Sequence, residues 1–209
     1  MPPRPTLEEF QTALLNRPLD EVVANYVLTG TPFVFEAQPE ALLRLQNHVA
    51  RALSVHAANV IVVGSAQVGF SLSPDNFPRR FSRESDIDVA VIDEPLFDRV
   101  WHTLLKWHYP RRLNLPTGDW RWTSDRRKEL YWGWFVPDRI RFTGLSLPTA
   151  LKPIRDCSSL WFNTFRSLSR YPEFAGRDVS GRLYRTREHL NMYQAEGLRQ
   201  IRDVLRNRE

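Results

Sequence analysis

The sequence predicts an α+β chain, a small mixed β-sheet flanked by helices, with helical segments at both ends. Three observations carry that expectation. Two short β-branched runs, Asn59-Val60-Ile61-Val62-Val63 and Asp86-Ile87-Asp88-Val89-Ala90-Val91-Ile92-Asp93, stand in the middle of the chain, and continuous apolar runs of that length suit buried strands. Segments of helical period bracket them on both sides. The 209 residues are 42% hydrophobic and 12% aromatic, enough for a core that needs no disulfide or structural metal. This order divides the chain into an N-terminal helical segment over 1–57, a sheet-bearing core over 58–145 and a C-terminal helical segment over 146–209.

Each element has a local reason. Thr6-Leu7-Glu8-Glu9 has the capping-box order, and Phe10, Leu14 and Leu15 follow at helical spacing, so a first helix is predicted over 6–16 and a second over 19–28. Residues 31–35, bounded by Gly30 and Pro39, read as a short extended stretch. From Glu40 to His56 the period is helical, with Leu42, Leu43, Leu45, Val49 and Leu53 as the expected buried stripe. The first strand stops at Gly64-Ser65, and the polar stretch 71–85 leads into the second. Glu94 to His108 is helical again, with Leu96, Val100, Leu104 and Trp107 on one side. Residues 110–126 read as a loop and 129–135 as a third strand. A short helix is expected over 160–168. A longer one over 186–206 turns Leu190, Tyr193, Leu198, Ile201 and Leu205 inward.

Composition narrows the function classes. A single cysteine, Cys157, excludes an intrachain disulfide and any Cys-rich zinc module, and suits a reducing compartment. The N-terminal Met-Pro-Pro-Arg-Pro has no apolar core of a secretory signal, and no run of about 18 apolar residues occurs. The expectation is therefore a cytoplasmic protein without a membrane partner. The 29 Lys and Arg against 24 Asp and Glu give a net charge of +5, which points toward polyanionic partners such as nucleotides or nucleic acid.

The chemistry concentrates between Gly64 and Asp88. Residues i and i+2 of a strand share a face, so Asp86 and Asp88 stand side by side while Ile87, Val89 and Val91 point into the core. Adjacent carboxylates repel unless a cation neutralises them. Oxygen ligands at this spacing suit Mg²⁺, which takes one or two carboxylates and completes its shell with water and phosphate. At Gly64-Ser65 a buried strand must turn, where glycine allows close approach of a ligand and backbone N–H groups can meet phosphate oxygens.

Val62-Val63-Gly64-Ser65 followed by Ser85-Asp86-Ile87-Asp88-Val89-Ala90-Val91 resembles the signature of the polymerase-beta-like nucleotidyltransferase superfamily: a hydrophobic stretch, Gly-Ser, a helix, then Asp-x-Asp on the next strand. The longer Gly-Ser-Ala-Gln-Val-Gly-Phe-Ser-Leu-Ser-Pro is similar to stand-alone bacterial members, and the match covers roughly residues 60–93. The resemblance implies a sheet of nucleotidyltransferase type, two Mg²⁺ ions (Mn²⁺ as a substitute) and a nucleoside triphosphate donor. It further implies that Gly64 and Ser65 hold the phosphates and that Asp86 and Asp88 are the catalytic metal ligands. The nucleoside monophosphate would pass to a protein hydroxyl, an RNA end, a small molecule or a second nucleotide. Family members also act as toxins or in defence against phage.

Two departures stand out. Twenty residues separate Ser65 from Asp86, an extra loop near the site. The family's third carboxylate comes from a later strand, and here Glu129 and Asp138 are the candidates. Without it the acceptor lacks a general base, which leaves open a module that binds nucleotide or nucleic acid as a sensor or partner. Arg79, Arg80 and Arg83 precede the Asp-x-Asp strand, and Arg199, Arg202 and Arg206 recur on one helical face that could follow a nucleic-acid backbone. Cys157 reads as a small buried hydrophobe, and the five histidines show no ligand spacing.

Overall fold

Thr6 closes the first helix with a complete capping box: its side chain accepts from the Glu9 backbone while Glu9 accepts from the Thr6 N–H at 2.7 Å. In this computed structural model, which describes residues 4–111, 125–139, 149–174 and 176–207, that helix is α1 (Leu7–Asn16). α2 (Leu19–Val22) runs on into a π-helical turn, Val23–Val27. Next come α3 (Pro39–Leu53), β1 (Val60–Val63), α4 (Ser65–Val68), β2 (Ile87–Ile92) and α5 (Glu94–His108). A helix over 125–131, α6, leads to β3 (Trp134–Phe135), followed by α7 (Lys152–Leu168), β4 (Val179–Tyr184) and α8 (Arg187–Arg206).

The four strands form one mixed sheet in the order β1-β2-β4-β3. β1 and β2 are antiparallel, β2 and β4 parallel, and β4 and β3 antiparallel. The alternation of side chains makes the two faces different. On one face Val60, Val62, Ile87, Val89 and Val91 join α3, α5 and α7 in the main core, with Leu45, Phe97, Trp161 and Phe165 deeply buried. The opposite face carries Val63, Ala90 and Tyr184, which pack on Leu190 of α8. A second apolar cluster ties α1 and α2 to the far half of α8 through Phe10, Leu14, Val22, Leu198 and Ile201. The face with Asp86 and Asp88 is thus covered only in part. No helix among the described residues is long and apolar enough to cross a membrane.

Several elements differ from the sequence expectation. Residues 33–35 form a 3₁₀ turn, not an extended stretch; among the described residues no strand pairs with them. In α3 the buried line is Ala41, Leu45, Val49, Ala50 and Leu53, while Leu43, two residues out of phase with that line, is 58% exposed. The strand expected over 129–135 shrinks to Trp134–Phe135, because 125–131 is helical. Good helix formers fill that segment, with an Arg126–Glu129 pair at 2.7 Å one turn apart. α7 begins eight residues before its expected start, with a proline in its first turn. The sequence reading lacked β4 altogether. Most of the loop expected over 110–126 lies outside the described residues.

Candidate functional site

β2 supplies the two aspartates as the alternation predicts, and its neighbours close around the second. Asp88 is paired in register with Val63 of β1 on one side and Ser180 of β4 on the other. Its carboxylate oxygens have different surroundings. Toward β1, Oδ2 lies 3.2 Å from the point where a Cβ on Gly64 would sit. Toward β4, Ser180 Oγ donates to Oδ1 at 3.1 Å. Gly64 has φ 66° and ψ −149°, a backbone region open essentially to glycine alone. A side chain there is opposed twice, by the backbone and by the carboxylate.

Asp86 lies one residue before β2 and is exposed, on the same face as Asp88. The loop that delivers it is fastened by the segment that leads into β4, the strand beside β2. Arg177 donates to the carbonyls of Ser82 at 2.6 Å and Ser85 at 2.8 Å, and its guanidinium lies 4.7 Å from the centre of the Phe81 ring. The Ile87 N–H then bonds to the Asp178 carbonyl at 2.9 Å. Burial raises the Asp88 carboxyl above its ordinary pKa. The Ser180 hydrogen bond and the charge of Arg182 work against that rise, and the charge of Asp86 adds to it. By surface area Asp88, like Asp86, is exposed, and it lines a cavity.

That cavity has a volume of about 920 Å³ and is lined by Gly64, Ser65, Asp88, Asp138, Ser180 and Arg182, with Tyr193 of α8 at its wall. Its size is in the range of small-molecule and cofactor sites. The donors around the aspartates are oxygens, from the carboxylates and from the Ser65 and Ser180 hydroxyls, and no histidine or cysteine is among the lining residues. Such a set would suit a hard cation such as Mg²⁺ or Mn²⁺ at Asp88; Asp86, on the same face of β2, is not among the residues that line the cavity.

The two expected third carboxylates lie in different places. Glu129 is on α6, ion-paired with Arg126. Asp138 occupies a 3₁₀ turn, Pro137–Arg139, just past β3, and lines the same cavity as Asp88. Among the described residues no group of three or more His, Cys, Asp or Glu side chains converges as a metal centre. The position level with Asp88 on the adjoining strand is a serine, Ser180.

The sequence reading missed Ser180 and Arg182. The run Val179-Ser-Gly-Arg-Leu-Tyr has apolar residues at alternate positions, but Gly181 sits at one inward position and depresses the strand signal. The glycine is required because a Cβ there would stand 2.2 Å from the Phe165 ring. Period-two alternation was the signal available.

The arginines divide by role. Arg79, Arg80 and Arg83 are exposed and are not cavity-lining residues. Arg202 donates to the Leu14 carbonyl at 2.6 Å and the Arg17 carbonyl at 2.5 Å, closing the end of α1. Arg199 pairs with Glu196 at 3.2 Å. The expected basic row on α8 is therefore partly engaged in holding the N-terminal helices. The Cys157 thiol is pushed up to about 11 by burial, and so holds its proton at neutral pH.

No family model, curated protein or solved structure matches this chain.

Proposed function

We propose that this protein is a metal-dependent nucleotidyltransferase of polymerase-beta-like type, moving a nucleoside monophosphate from a nucleoside triphosphate to an acceptor hydroxyl. The observation that carries this reading is the setting of Asp88. Its carboxylate stands between a glycine-only turn and a hydroxyl donor at the edge of a cavity large enough for a nucleotide, with Asp86 on the same face.

In this reading Gly64 and Ser65 lie against the phosphate chain. The glycine lets phosphate oxygens approach the backbone, and Ser65 adds a hydroxyl donor. Asp86 and Asp88 would hold Mg²⁺ or Mn²⁺, which supplies charge neutralisation at the phosphates. The acceptor oxygen attacks the α-phosphorus, the bond from that phosphorus to the bridging oxygen breaks, and pyrophosphate leaves. The acceptor's proton must pass to a base; Asp138 and Glu196 are the other carboxylates that line the cavity, and since Glu196 is paired with Arg199, Asp138 is the candidate. Acceptors compatible with this chemistry are a protein hydroxyl, an RNA end, a small molecule or a second nucleotide.

Ser180 favours a second reading. A hydroxyl stands level with Asp88 on the adjoining strand, where a carboxylate would complete the metal site. A nucleotide-binding module that senses its ligand or presents it to a partner has no need of that carboxylate. One experiment separates the two. Each of the four nucleoside triphosphates, labelled at the α-phosphate, is incubated with the protein, Mg²⁺ or Mn²⁺, and total RNA or cell lysate. The transferase reading expects label on an acceptor, lost in Asp86→Ala/Asp88→Ala. Metal-dependent retention of label without transfer establishes the module, and neither transfer nor retention refutes both.

A further inference from the structure

Among the described residues that line the cavity Arg182 is the cation, and it is held between two aromatic rings. Arg177 and Arg202 each donate to two backbone carbonyls, and Arg185 pairs with Glu94 and Asp98. Arg177 and Arg185 each also lie over one ring, whereas Arg182 meets two, its guanidinium carbon 4.5 Å from the Trp134 ring centre and 4.3 Å from that of Tyr193. Those two rings meet edge to face at 5.3 Å, which makes a rigid corner. Its Nε is buried there with no hydrogen-bond acceptor. The part of the side chain that meets the cavity is therefore the outer edge of the guanidinium. Flat stacking of this kind is a property of arginine that lysine lacks, and a guanidinium with five N–H donors keeps some for an oxyanion beside those that meet the Tyr184 and Tyr193 hydroxyls. The polar partners of Arg182 are the neutral hydroxyls of Tyr184 and Tyr193, which do not neutralise its charge as a bound anion would.

The position of Arg182 relative to Asp88 says which ligand. The Gly64-Ser65 turn flanks Asp88 on the β1 side and faces Oδ2. Ser180 flanks it on the β4 side and faces Oδ1, and Arg182, two residues further along β4, shares Ser180's face. The turn and the arginine thus lie on opposite sides of one carboxylate. The phosphates of the donor have the β1 side, and what remains for Arg182 is the molecule that receives the nucleotide. The hydroxyls of Tyr184 and Tyr193 face the same guanidinium. Burial pushes the Tyr184 hydroxyl well above its ordinary pKa, so it stays protonated as a neutral neighbour of a bound anion.

We propose that Arg182, set by Trp134 and Tyr193, binds a phosphate group on the acceptor, so that the receiving molecule is itself phosphorylated. This rests on the transferase reading for the word acceptor, but the anion site does not depend on it. The test is calorimetric titration of inorganic phosphate into the protein, with and without a saturating non-hydrolysable triphosphate, α,β-methylene-ATP, and Mg²⁺. The wild type is expected to bind phosphate both alone and beside the nucleotide. Arg182→Gln should weaken phosphate binding about tenfold or more, the size of one charge-assisted hydrogen bond, and leave nucleotide binding in place. Arg182→Lys keeps the charge and loses the stacked fork, so it should weaken phosphate as well; it carries the test if the glutamine variant does not fold. Arg79→Gln removes one exposed positive charge outside the cavity and should change nothing.

Equal phosphate binding by Arg182→Gln, Arg182→Lys and the wild type overturns the proposal, as does no phosphate binding by the wild type. Mutual exclusion of phosphate and nucleotide, with both lost in Arg182→Gln, also overturns it, because Arg182 would then serve the donor. If phosphate binding depends on Arg182 but no variant or wild type binds the nucleotide, the anion site stands and it is the transferase reading that fails.

Discussion

Gly64→Ala separates the two roles assigned to the turn before α4. At φ 66° and ψ −149°, an alanine is held in a backbone region that costs on the order of 1–3 kcal/mol. The new methyl group would also stand 3.2 Å from Asp88 Oδ2 and 3.8 Å from its Cβ, close enough to push the carboxylate toward Ser180. For a chain of this size about 1 kcal/mol moves Tm by roughly 2–4 °C, so the substitution should lower Tm by about 2–12 °C. The two causes come apart in a double-mutant cycle with Asp88→Ala. Backbone strain persists whether or not the carboxylate is present; the contact vanishes with it. Thermal unfolding of the wild type, both single variants and the double variant, in metal-free buffer, gives the division. The expected result is a Gly64→Ala penalty that shrinks in the Asp88→Ala background without disappearing. A Gly64→Ala protein as stable as the wild type refutes the strained turn. An equal penalty in both backgrounds refutes the close approach to Asp88, and with it the account of why glycine stands there.

Other substitutions test the remaining parts of the frame. Because burial raises the Asp88 carboxyl, the folded state holds that proton more tightly than the unfolded chain. Its contribution to stability is complete below the ordinary carboxyl pKa of about 3.9 and is lost as pH rises through the folded value. Asp88→Asn should therefore gain stability over the wild type at pH 7 in metal-free buffer, the gain narrowing as pH falls toward 4. A gain that widens on acidification contradicts the burial argument. Arg202→Ala removes two hydrogen bonds that close α1 and should cost about 1–2 kcal/mol, whereas Arg199→Ala, which breaks an exposed pair, should cost about 0–0.5 kcal/mol; equal Tm losses would remove the capping role. Gly181→Ala places a methyl 2.2 Å from the Phe165 ring and should lose about 1–3 kcal/mol by overpacking. Phe165→Leu is expected to restore part of that loss, and a double variant no better than additive would show that the collision is relieved elsewhere.

What the sequence made legible was whatever its local signals encode. Thr6 and Glu9 announce α1 three residues apart, and the capping box they form needs nothing from the rest of the chain. The β-branched runs of β1 and β2 are apolar because both faces of each are covered over most of their length, and Asp86 and Asp88 stand out because they break such a run at period two. β4 carries no comparable mark. Gly181 is needed under Phe165, and Arg182 needs its aromatic corner, so the two residues that make the strand look least like a strand are there for partners far away in sequence. Residues 125–131 show the converse, since Arg126, Lys128 and Glu129 favour a helix that an expectation of a third strand overrode.

The candidate site inherits this division. Gly64, Ser65, Asp86 and Asp88 lie within one stretch of 25 residues and form one pattern. The hydrogen bond that completes Asp88 joins residues 92 apart, across a parallel pairing that no spacing rule reveals. Parallel neighbours require a crossover, and here the crossover runs through α5, α6, β3 and α7 before β4 returns beside β2. In the transferase reading, the half of the site toward β1 meets the donor, which every enzyme of that chemistry shares, and a short motif suffices for it. The half toward β4 meets the acceptor, which differs from one such enzyme to the next. A motif is by its nature what does not differ, so the residues that choose the acceptor are the ones a motif omits. For this chain they are to be sought along β4 and the rings against it, beginning with Arg182.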